Sequence, residues 1–393
     1  MSSTLFRRAR VGRDSEQVDL LVTDGRIARV APAIDTDADV VDLADRVVLP
    51  GLVDGHAHLD KTLWTGPWIR HETAASIADL IANGQRRRPE LGIPHRGYIT
   101  ALLEHMVTLG TSHVRSHVDI DPLLGLSAVE AVRAAADGLA HAIDVELVAF
   151  PQAGILISPG TAELLDQALA AGVETIGGID PAGVDGDPVR HLDLVFELAD
   201  RHGVGVDIHL HDRGTLGLWQ FERIIERAAA LDLGGKVVIS HGYALIGAAP
   251  DVQDRLIARL AEAGIAIAST APSTAMPLGK LRAAGVPLTL GNDGVRDLWS
   301  PNTTADMLER VMFQVKNGGD STDSGISAAL DAATVDSAKA LGLDGYGLSE
   351  GDKADFVAVD ARNAAEAVMT RPTDRVVVKH GRVVARDGAL LAR

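Results

Sequence analysis

Two histidines separated by one residue, His56 and His58, follow an apolar run in the stretch VVLPGLVDGHAHLDK at residues 47–61. In a β-strand alternate side chains share a face, so both imidazoles would point to one side at the end of that strand. Imidazole pairs of this kind bind zinc or ferrous iron. For this stretch alone, an ordinary pair of core or surface histidines is the simpler explanation, and the rest of the chain has to decide.

The same arrangement recurs along the chain, because polar residues end eight apolar, strand-like runs. The runs are VVLPGLVDGHAH, HVRSHVDI, VELVAFPQ, TIGGID, GVDIHLH, VVISHG, IAIAST and LTLGND. The polar residues at their ends are His56, His58, His117, Asp119, Gln152, Asp180, His209, His211, His241, Ser269, Thr270 and Asp293. Six of the 14 histidines fall in this set. Scattered histidines would not do this, so the pattern predicts a single site.

Helical stretches such as AELLDQALAAG and DRLIARLAEAG separate the runs, and several end in a glycine typical of a helix C-terminus. Eight β-then-α units are the count of a (β/α)8 TIM barrel, in which chemistry gathers where the strands end. The structural alternative is a doubly wound open sheet, but no glycine-rich phosphate loop is present. We therefore predict the α/β class with a TIM barrel.

Short alternating strands flank this region at both ends of the chain. Turn signals occur at Asp24-Gly25 and at His380-Gly381. They predict a small β-sandwich module built from residues 1–48 and 343–393, beside a catalytic barrel at 49–342.

Three imidazoles and one carboxylate make a suitable shell for one divalent ion, Zn²⁺ or Fe²⁺. The predicted ligands are His56, His58, His209 and Asp293. Such an ion lowers the pKa of a bound water from about 15.7 toward ~7, which provides a hydroxide nucleophile at neutral pH. The residue types do not choose between zinc and iron.

Composition excludes several other classes of protein. The chain has 393 residues, 46% of them hydrophobic, and a net charge of −17, which argues against a nucleic-acid partner. The basic clusters, at Arg7 to Arg10 and at Arg86 to Arg88, are expected to be solvated faces. There is no cysteine, no apolar run long enough to span a bilayer and no signal-peptide pattern, so we expect a cytoplasmic protein without a membrane partner.

Six motifs resemble the amidohydrolase superfamily, and within it the cytosine deaminase branch. They are PGLVDGHAHLDKT, HVRSHVDI, VAFPQAGIL, DIHLHD, SHGYAL and GNDGVRDLWSP, in that order. The resemblance implies a barrel with a β-module from both termini, the four metal ligands given above, and a homo-oligomer. It also implies that His241 polarises the attacking water or the substrate, and that Gln152 hydrogen-bonds a heterocycle.

Details within the motifs distinguish subfamilies. The run TIGGIDPAG lacks the lysine that bridges two metals in cyclic-amide hydrolases, which favours one metal. Asp212 and Gly294 stand where cytosine deaminases have a glutamate and a second aspartate, so cytosine is a doubtful substrate. The motifs HLDK and HLH are more similar to N-isopropylammelide isopropylaminohydrolases. That similarity implies functional roles for Lys61 and His211. Two alternatives stay open: Lys61 pairs with Asp60 or with a backbone carbonyl, and His211 has a supporting role or lies at the surface.

We therefore predict hydrolytic displacement of an amino or alkylamino group from a nitrogen heterocycle. Asp293 or His211 would accept the proton of the nucleophile, and Lys61, His211 or Asp212 would protonate or stabilise a ring nitrogen. The residues predicted to contact the substrate are Gln152, Asp180, Trp299 and Trp64. The alternatives are a cyclic amide hydrolase that opens a lactam-type ring and a binding protein without catalytic activity.

Overall fold

The computed structural model describes residues 3–12, 16–71, 74–271, 273–301 and 304–392, and it contains two sheets. Nine strands from the two ends of the chain form the first sheet. They are β1 (Ser3–Val11), β2 (Glu16–Thr23), β3 (Arg26–Ala31), β4 (Asp39–Asp42), β5 (Val47–Pro50), β14 (Phe356–Val359), β15 (Arg375–Lys379), β16 (Arg382–Arg386) and β17 (Ala389–Leu390).

Antiparallel pairing of β5 with β14 joins the N-terminal half of this sheet to the C-terminal half. Side chains from both halves share a small core, in which Phe6 packs edge-to-face on Phe356 with ring centroids 5.0 Å apart. The predicted turns at Asp24-Gly25 and His380-Gly381 are present, and all four residues have positive φ. The two ends of the chain thus build one module.

The second sheet contains eight parallel strands in sequential order, nearly closed into a barrel. They are β6 (Leu52–Ala57), β7 (Thr111–Asp119), β8 (Asp144–Phe150), β9 (Thr175–Ile179), β10 (Gly205–His209), β11 (Val237–Ser240), β12 (Ala266–Ser269) and β13 (Leu288–Leu290). A short 3-10 helix, Leu59–Lys61, follows β6. The helices are α1 (Ile77–Leu91), α2 (Arg96–Thr108), α3 (Ser127–Leu139), α4 (Thr161–Ala170), α5 (Pro188–His202), α6 (Gly214–Ala230), α7 (Tyr243–Ile246), α8 (Pro250–Glu262), α9 (Leu278–Ala284), α10 (Met307–Gly318), α11 (Asp323–Asp331), α12 (Val335–Leu341) and α13 (Ala364–Thr370).

The barrel closes where β6 meets the segment after β13. The backbone N–H of Asp293 donates to the carbonyl of His56 at 2.8 Å. Beside it, the buried carboxylate of Asp54 accepts hydrogen bonds from the backbone N–H of Asn292 at 3.0 Å and from its side-chain amide at 2.7 Å. Residues far apart in the sequence are thereby held at one edge of the barrel.

The predicted fold class, a TIM barrel with a β-module from both termini, is confirmed, and all eight runs contain a barrel strand. Treating residues 47–58 as one strand was wrong, because β5 and β6 lie in different sheets. Pro50 has no N–H to continue a ladder, and a side chain at Gly51 would collide with Ser112. The domain boundaries at residues 48 and 343 stay a prediction. Among the described residues no helix has the length and apolar character to cross a membrane.

We predict that Gly291→Ala destabilises the protein, because a Cβ at this position would collide with the backbone of His56 at the closure. Overpacking of this kind costs about 1–3 kcal/mol. The free energy of unfolding in urea measures the effect. Gly279→Ala is the matched control. This glycine lies in α9, where an added Cβ would meet open space, so alanine should be neutral or stabilising by up to about 1 kcal/mol. Equal effects of the two substitutions would contradict the prediction.

Candidate active site

The four predicted metal ligands converge at the carboxyl ends of β6, β10 and β13. His58 Nε2 lies 3.2 Å from His209 Nε2 and 3.3 Å from Asp293 Oδ1. His56 Nε2 lies 3.8 Å from the same carboxylate oxygen. Zinc–nitrogen bonds of 2.0–2.1 Å in a tetrahedral shell place neighbouring ligand atoms about 3.3 Å apart. The donor atoms thus have the spacing of a mononuclear metal shell.

The protonation of these imidazoles also suits a cation. Burial lowers the pKa of His56 to about 3, although Asp293 opposes this shift. Burial and the neighbouring histidines likewise hold the pKa of His209 well below its usual value. Within the described parts of the chain, the buried His56 Nε2 has no hydrogen-bond partner. A neutral ring whose unpartnered Nε2 lies near a carboxylate and two other imidazoles fits a divalent metal ion.

His241 stands beside this shell in a strained backbone conformation. Its φ is +67°, and that of Asp293 is +61°, which is unusual for residues other than glycine. The His241 ring lies 4.9 Å from that of His56 and stacks on His211 at 4.2 Å between centroids. Burial holds its pKa well below the usual value, so the ring is neutral. Ligand atoms of both strained residues lie within 4.8 Å of each other and of His56.

Asp180 holds His211 rather than facing an open space. One carboxylate oxygen accepts from the backbone N–H of His211 at 2.6 Å, and the other lies 2.8 Å from His211 Nδ1. Asp212 faces away from the shell, since its carboxylate accepts hydrogen bonds from Gln220 at 2.8 Å and from the Gly183 N–H at 3.2 Å. His211 therefore lies at the site, whereas the carboxylates of Asp180 and Asp212 bond to groups of the surrounding loops and helix.

Lys61 lies at the centre of a buried polar cluster next to the shell. Its Nζ lies 3.1 Å from His58 Nδ1 and 3.0 Å from Asp119 Oδ1, and it donates to Gln152 Oε1. The same atom lies 5.7 Å from the centre of the Trp299 ring. Burial lowers the pKa of Lys61 to about 8, although Asp60 opposes the shift. Lys61, Gln152 and Trp299 thus form one wall beside the ligands.

Arg88 belongs to this cluster, and the expectation that residues 86–88 form a solvated face was wrong for it. The side chain is buried and pairs with Asp119, and its second nitrogen donates to Asp121 at 3.4 Å. Arg86 on the same helix is exposed. Ile81 on the same helix packs with Phe150 and Ile179, so α1 lies on the barrel and its last arginine points inward to two acids.

Trp64 and Gly294 each lie beside a residue that the sequence analysis did not place there. Trp64 stacks on His105 with ring centroids 4.7 Å apart, so it packs against α2. A side chain at Gly294 would collide with the carboxylate of Asp297. Asp297 therefore occupies the space that a second acidic residue after Asp293 would need.

The loop that carries Gln152 is held by a buried carboxylate. Asp185 accepts hydrogen bonds from the three successive amides of residues 155–157 at 3.0–3.3 Å. Its other partner is His191, whose Nδ1 lies 2.6 Å from the carboxylate. Three aligned N–H groups on one anion fix the loop after β8, and with it the position of Gln152.

We predict that Asp185→Asn loosens this loop, because a neutral amide cannot accept from three amides and from His191 together. Loss of about 1.4 kcal/mol of charge-assisted hydrogen bonding corresponds to about tenfold faster exchange of the amides of residues 155–157. Hydrogen–deuterium exchange mass spectrometry measures it. Asp166→Asn is the control, because it breaks a similar pair with His202, at 2.7 Å, on the outer surface. It should leave the exchange of residues 155–157 unchanged. Unchanged exchange in the Asp185 variant would contradict the prediction.

His117 lies beneath the shell, with its ring 4.3 Å from that of His56, near Asp207. His56, His117 and Asp207 could in principle hold a second cation. The guanidinium of Arg115 lies 3.3 Å from Asp207, however, and its permanent positive charge disfavours another cation there. Burial raises the pKa of Asp207 to about 6, against the opposing effect of Arg115.

Sequence reasoning missed Asp207, Ser240 and Arg115. Asp207 and Arg115 each precede a predicted strand-end histidine by two residues, so the period-2 rule places them on the same face. The same periodicity therefore indicates both residues as candidates for the site.

A sequence model described as "Amidohydrolase family" matches residues 94–385, which is more than half of the chain. The chain therefore belongs to the amidohydrolase family. It is a metal-dependent hydrolase of carbon–nitrogen bonds other than peptide bonds, as the motifs predicted.

Three relatives extend this comparison over the whole chain. N-isopropylammelide isopropyl amidohydrolase of Pseudomonas sp. (strain ADP) is 29% identical over 99% of this chain and 98% of its own length. The crystal structure of N-isopropylammelide isopropylaminohydrolase from Burkholderia multivorans ATCC 17616 is 41% identical, with a TM-score of 0.95 over 100% of both chains. That of 5-methylcytosine deaminase from Klebsiella pneumoniae, liganded with 5-fluorocytosine, is 27% identical, with a TM-score of 0.84 over 99% of both chains. The predicted resemblance to the cytosine deaminase branch is confirmed.

Proposed function

We propose that this protein is an aminohydrolase that displaces an amino or alkylamino group from a pyrimidine- or triazine-type ring. The observation that supports it most directly is the convergence of His56, His58, His209 and Asp293 beside the wall formed by Lys61, Gln152 and Trp299. A single Zn²⁺ or Fe²⁺ held by the four ligands would supply Lewis acidity and an activated water molecule as nucleophile.

The hydrogen bonds of His211 suit it to accept a proton. Its Nδ1 lies 2.8 Å from Asp180, and a carboxylate accepts but does not donate. The ring proton therefore resides on Nδ1, which leaves the lone pair of Nε2 free for a proton from the nucleophile. In this proposal Asp180 orients His211, and Asp293 is the second candidate base. His241, stacked on His211, would hold the nucleophile in place.

Lys61 and Gln152 present charge and hydrogen bonds to one edge of the ring. An ammonium beside a carboxamide would stabilise the negative charge that develops on a ring nitrogen during attack and then deliver a proton to it. Trp299, next to Lys61, would cover the ring face. Asp212 is the least suited of the predicted acids, because Gln220 and Gly183 already engage its carboxylate.

Further predictions accompany this function. They are a cytoplasmic location, a homo-oligomeric assembly, zinc or iron as the metal, and a position of Trp64 near the substrate. The small heterocyclic substrate follows from the proposed reaction.

A mass-spectrometric substrate panel on metal-loaded enzyme tests the reaction type. The panel contains cytosine, isocytosine, 5-methylcytosine, ammelide, N-alkyl ammelides and aminopterins, with hydantoin and dihydropyrimidine as ring-opening controls. We expect exchange of an amino or alkylamino group for oxygen on at least one ring, with release of the amine. In His209→Ala, which lacks one ligand, this activity and the bound metal should both be lost.

The panel also separates the alternatives. Gain of one water by a cyclic amide, with nothing released, would replace the proposal with ring opening. Failure of the purified protein to bind metal would favour the binding protein.

We predict that Lys61→Met lowers kcat by about 10²–10⁴-fold, the usual contribution of proton transfer by a positioned side chain. The variant should fold and retain its metal, since Asp119 keeps Arg88 as its ionic partner and methionine retains the apolar stem. Metal content and kcat are measured on the same preparation. The control is Lys236→Met, because this exposed lysine lies at the amino end of β11, whereas the ligands lie at the carboxyl ends of the strands. An unchanged kcat would remove Lys61 from the mechanism.

A further inference from the structure

A chain of buried polar groups lies behind His56, on the side opposite its predicted metal-binding nitrogen. His56 Nδ1 lies 2.9 Å from Ser240 Oγ, and Ser240 Oγ donates to Asp207 Oδ1 at 2.6 Å. Arg115 reaches the other oxygen of Asp207 at 3.3 Å and Glu146 at 2.8 Å. Ser240 and Asp207 are fully buried, so water does not compete for these bonds.

The direction of each bond follows from the chemistry of its partners. A carboxylate has no proton to give, and Arg115 beside it favours the ionised form, so the hydroxyl proton of Ser240 must point to Asp207. The Ser240 oxygen can then only accept from His56, which requires the ring proton on Nδ1. Nε2 is left with a lone pair, and this is the atom that faces Asp293 and has no hydrogen-bond partner among the described residues.

We propose that Asp207 and Ser240 are positioning residues that set the tautomer of His56 and thereby its capacity to bind metal, with Arg115 fixing the orientation of Asp207. Partners behind a ligating histidine typically contribute 10–100-fold to metal affinity. The inference rests on the metal site of the proposed function, because it assigns His56 Nε2 as a ligand.

Arg115 determines how the amide of Asp207→Asn would be oriented, so the effect of this variant can be predicted. The guanidinium has only donors, so it orients the amide with its carbonyl oxygen toward Arg115 and its NH₂ toward Ser240. Ser240 then accepts from Asn, and His56 Nδ1 is the partner left for its own proton. The ring responds by carrying its proton on Nε2, where it blocks the metal-binding lone pair. Ser240→Ala removes the hydrogen bonds that join Asp207 to His56 without reversing their direction.

The experiment measures Zn²⁺ affinity of metal-free protein at pH 8 by competition with a chromogenic chelator, without substrate. We expect Ser240→Ala to weaken binding about tenfold and Asp207→Asn about 100-fold. The double variant Asp207→Asn/Ser240→Ala should return to the level of Ser240→Ala, because the reversed proton can no longer reach His56. Loss of fold would not restore affinity in the double variant.

Ser337→Ala is the matched control, an equally buried hydroxyl that bonds to Thr289 at 2.8 Å and to the carbonyl of Ala332 at 2.7 Å, neither of which is a predicted ligand. Its Zn²⁺ affinity should equal that of the unchanged protein. Full affinity in Asp207→Asn, or a double variant as weak as Asp207→Asn, would overturn the proposal. If the unchanged protein fails to bind Zn²⁺, the proposed metal site itself is wrong. If it binds Zn²⁺ but the variants do not differ as expected, only the proposed roles of Asp207 and Ser240 are wrong.

Discussion

The active site depends on the closure of the barrel between its first strand and the segment after its last. One hydrogen bond from the N–H of Asp293 to the carbonyl of His56, at 2.8 Å, brings the carboxylate from one end of the barrel sheet to the histidines at the other end. Asp54 secures this junction through Asn292. The ligand set therefore forms only when the sheet has closed, so barrel closure and assembly of the metal shell are one event.

The interior beneath this junction is unusually polar for a barrel core. The axis carries Arg115, Glu146, Asp207 and several neutral imidazoles in place of the branched apolar side chains typical of this fold. Buried charge of this kind is weak as a source of stability, since desolvation offsets the pairing. Its value lies in orientation, because Arg115 and Ser240 bond to different oxygens of Asp207 and so fix the carboxylate behind His56.

The barrel, its eight strands and the convergence of the ligands were predictable, because hydrophobic runs and strand-end histidines are local patterns. Contacts that depend on a helix folding back were not: Arg88 looks like its neighbour Arg86 in the sequence, and only the packing of α1 turns it toward Asp119. Likewise, Asp180 and Asp212 end or follow predicted strands, yet hydrogen bonds within the loops decide which way their carboxylates face. The break at Pro50 and Gly51 was not predicted either, because the apolar run is continuous in sequence although its two halves belong to different sheets.

The shared terminal sheet has a consequence for biosynthesis. Strand β5 finds its partner β14 only after roughly 300 further residues have been made, which takes about 15–60 s at the usual rate of translation. During that interval the nascent chain presents an unpaired strand edge, the kind of surface on which other chains aggregate. A ribosome that stalls within the barrel would therefore release a product with an open sheet, and chaperones would meet this protein first at its N-terminal strands.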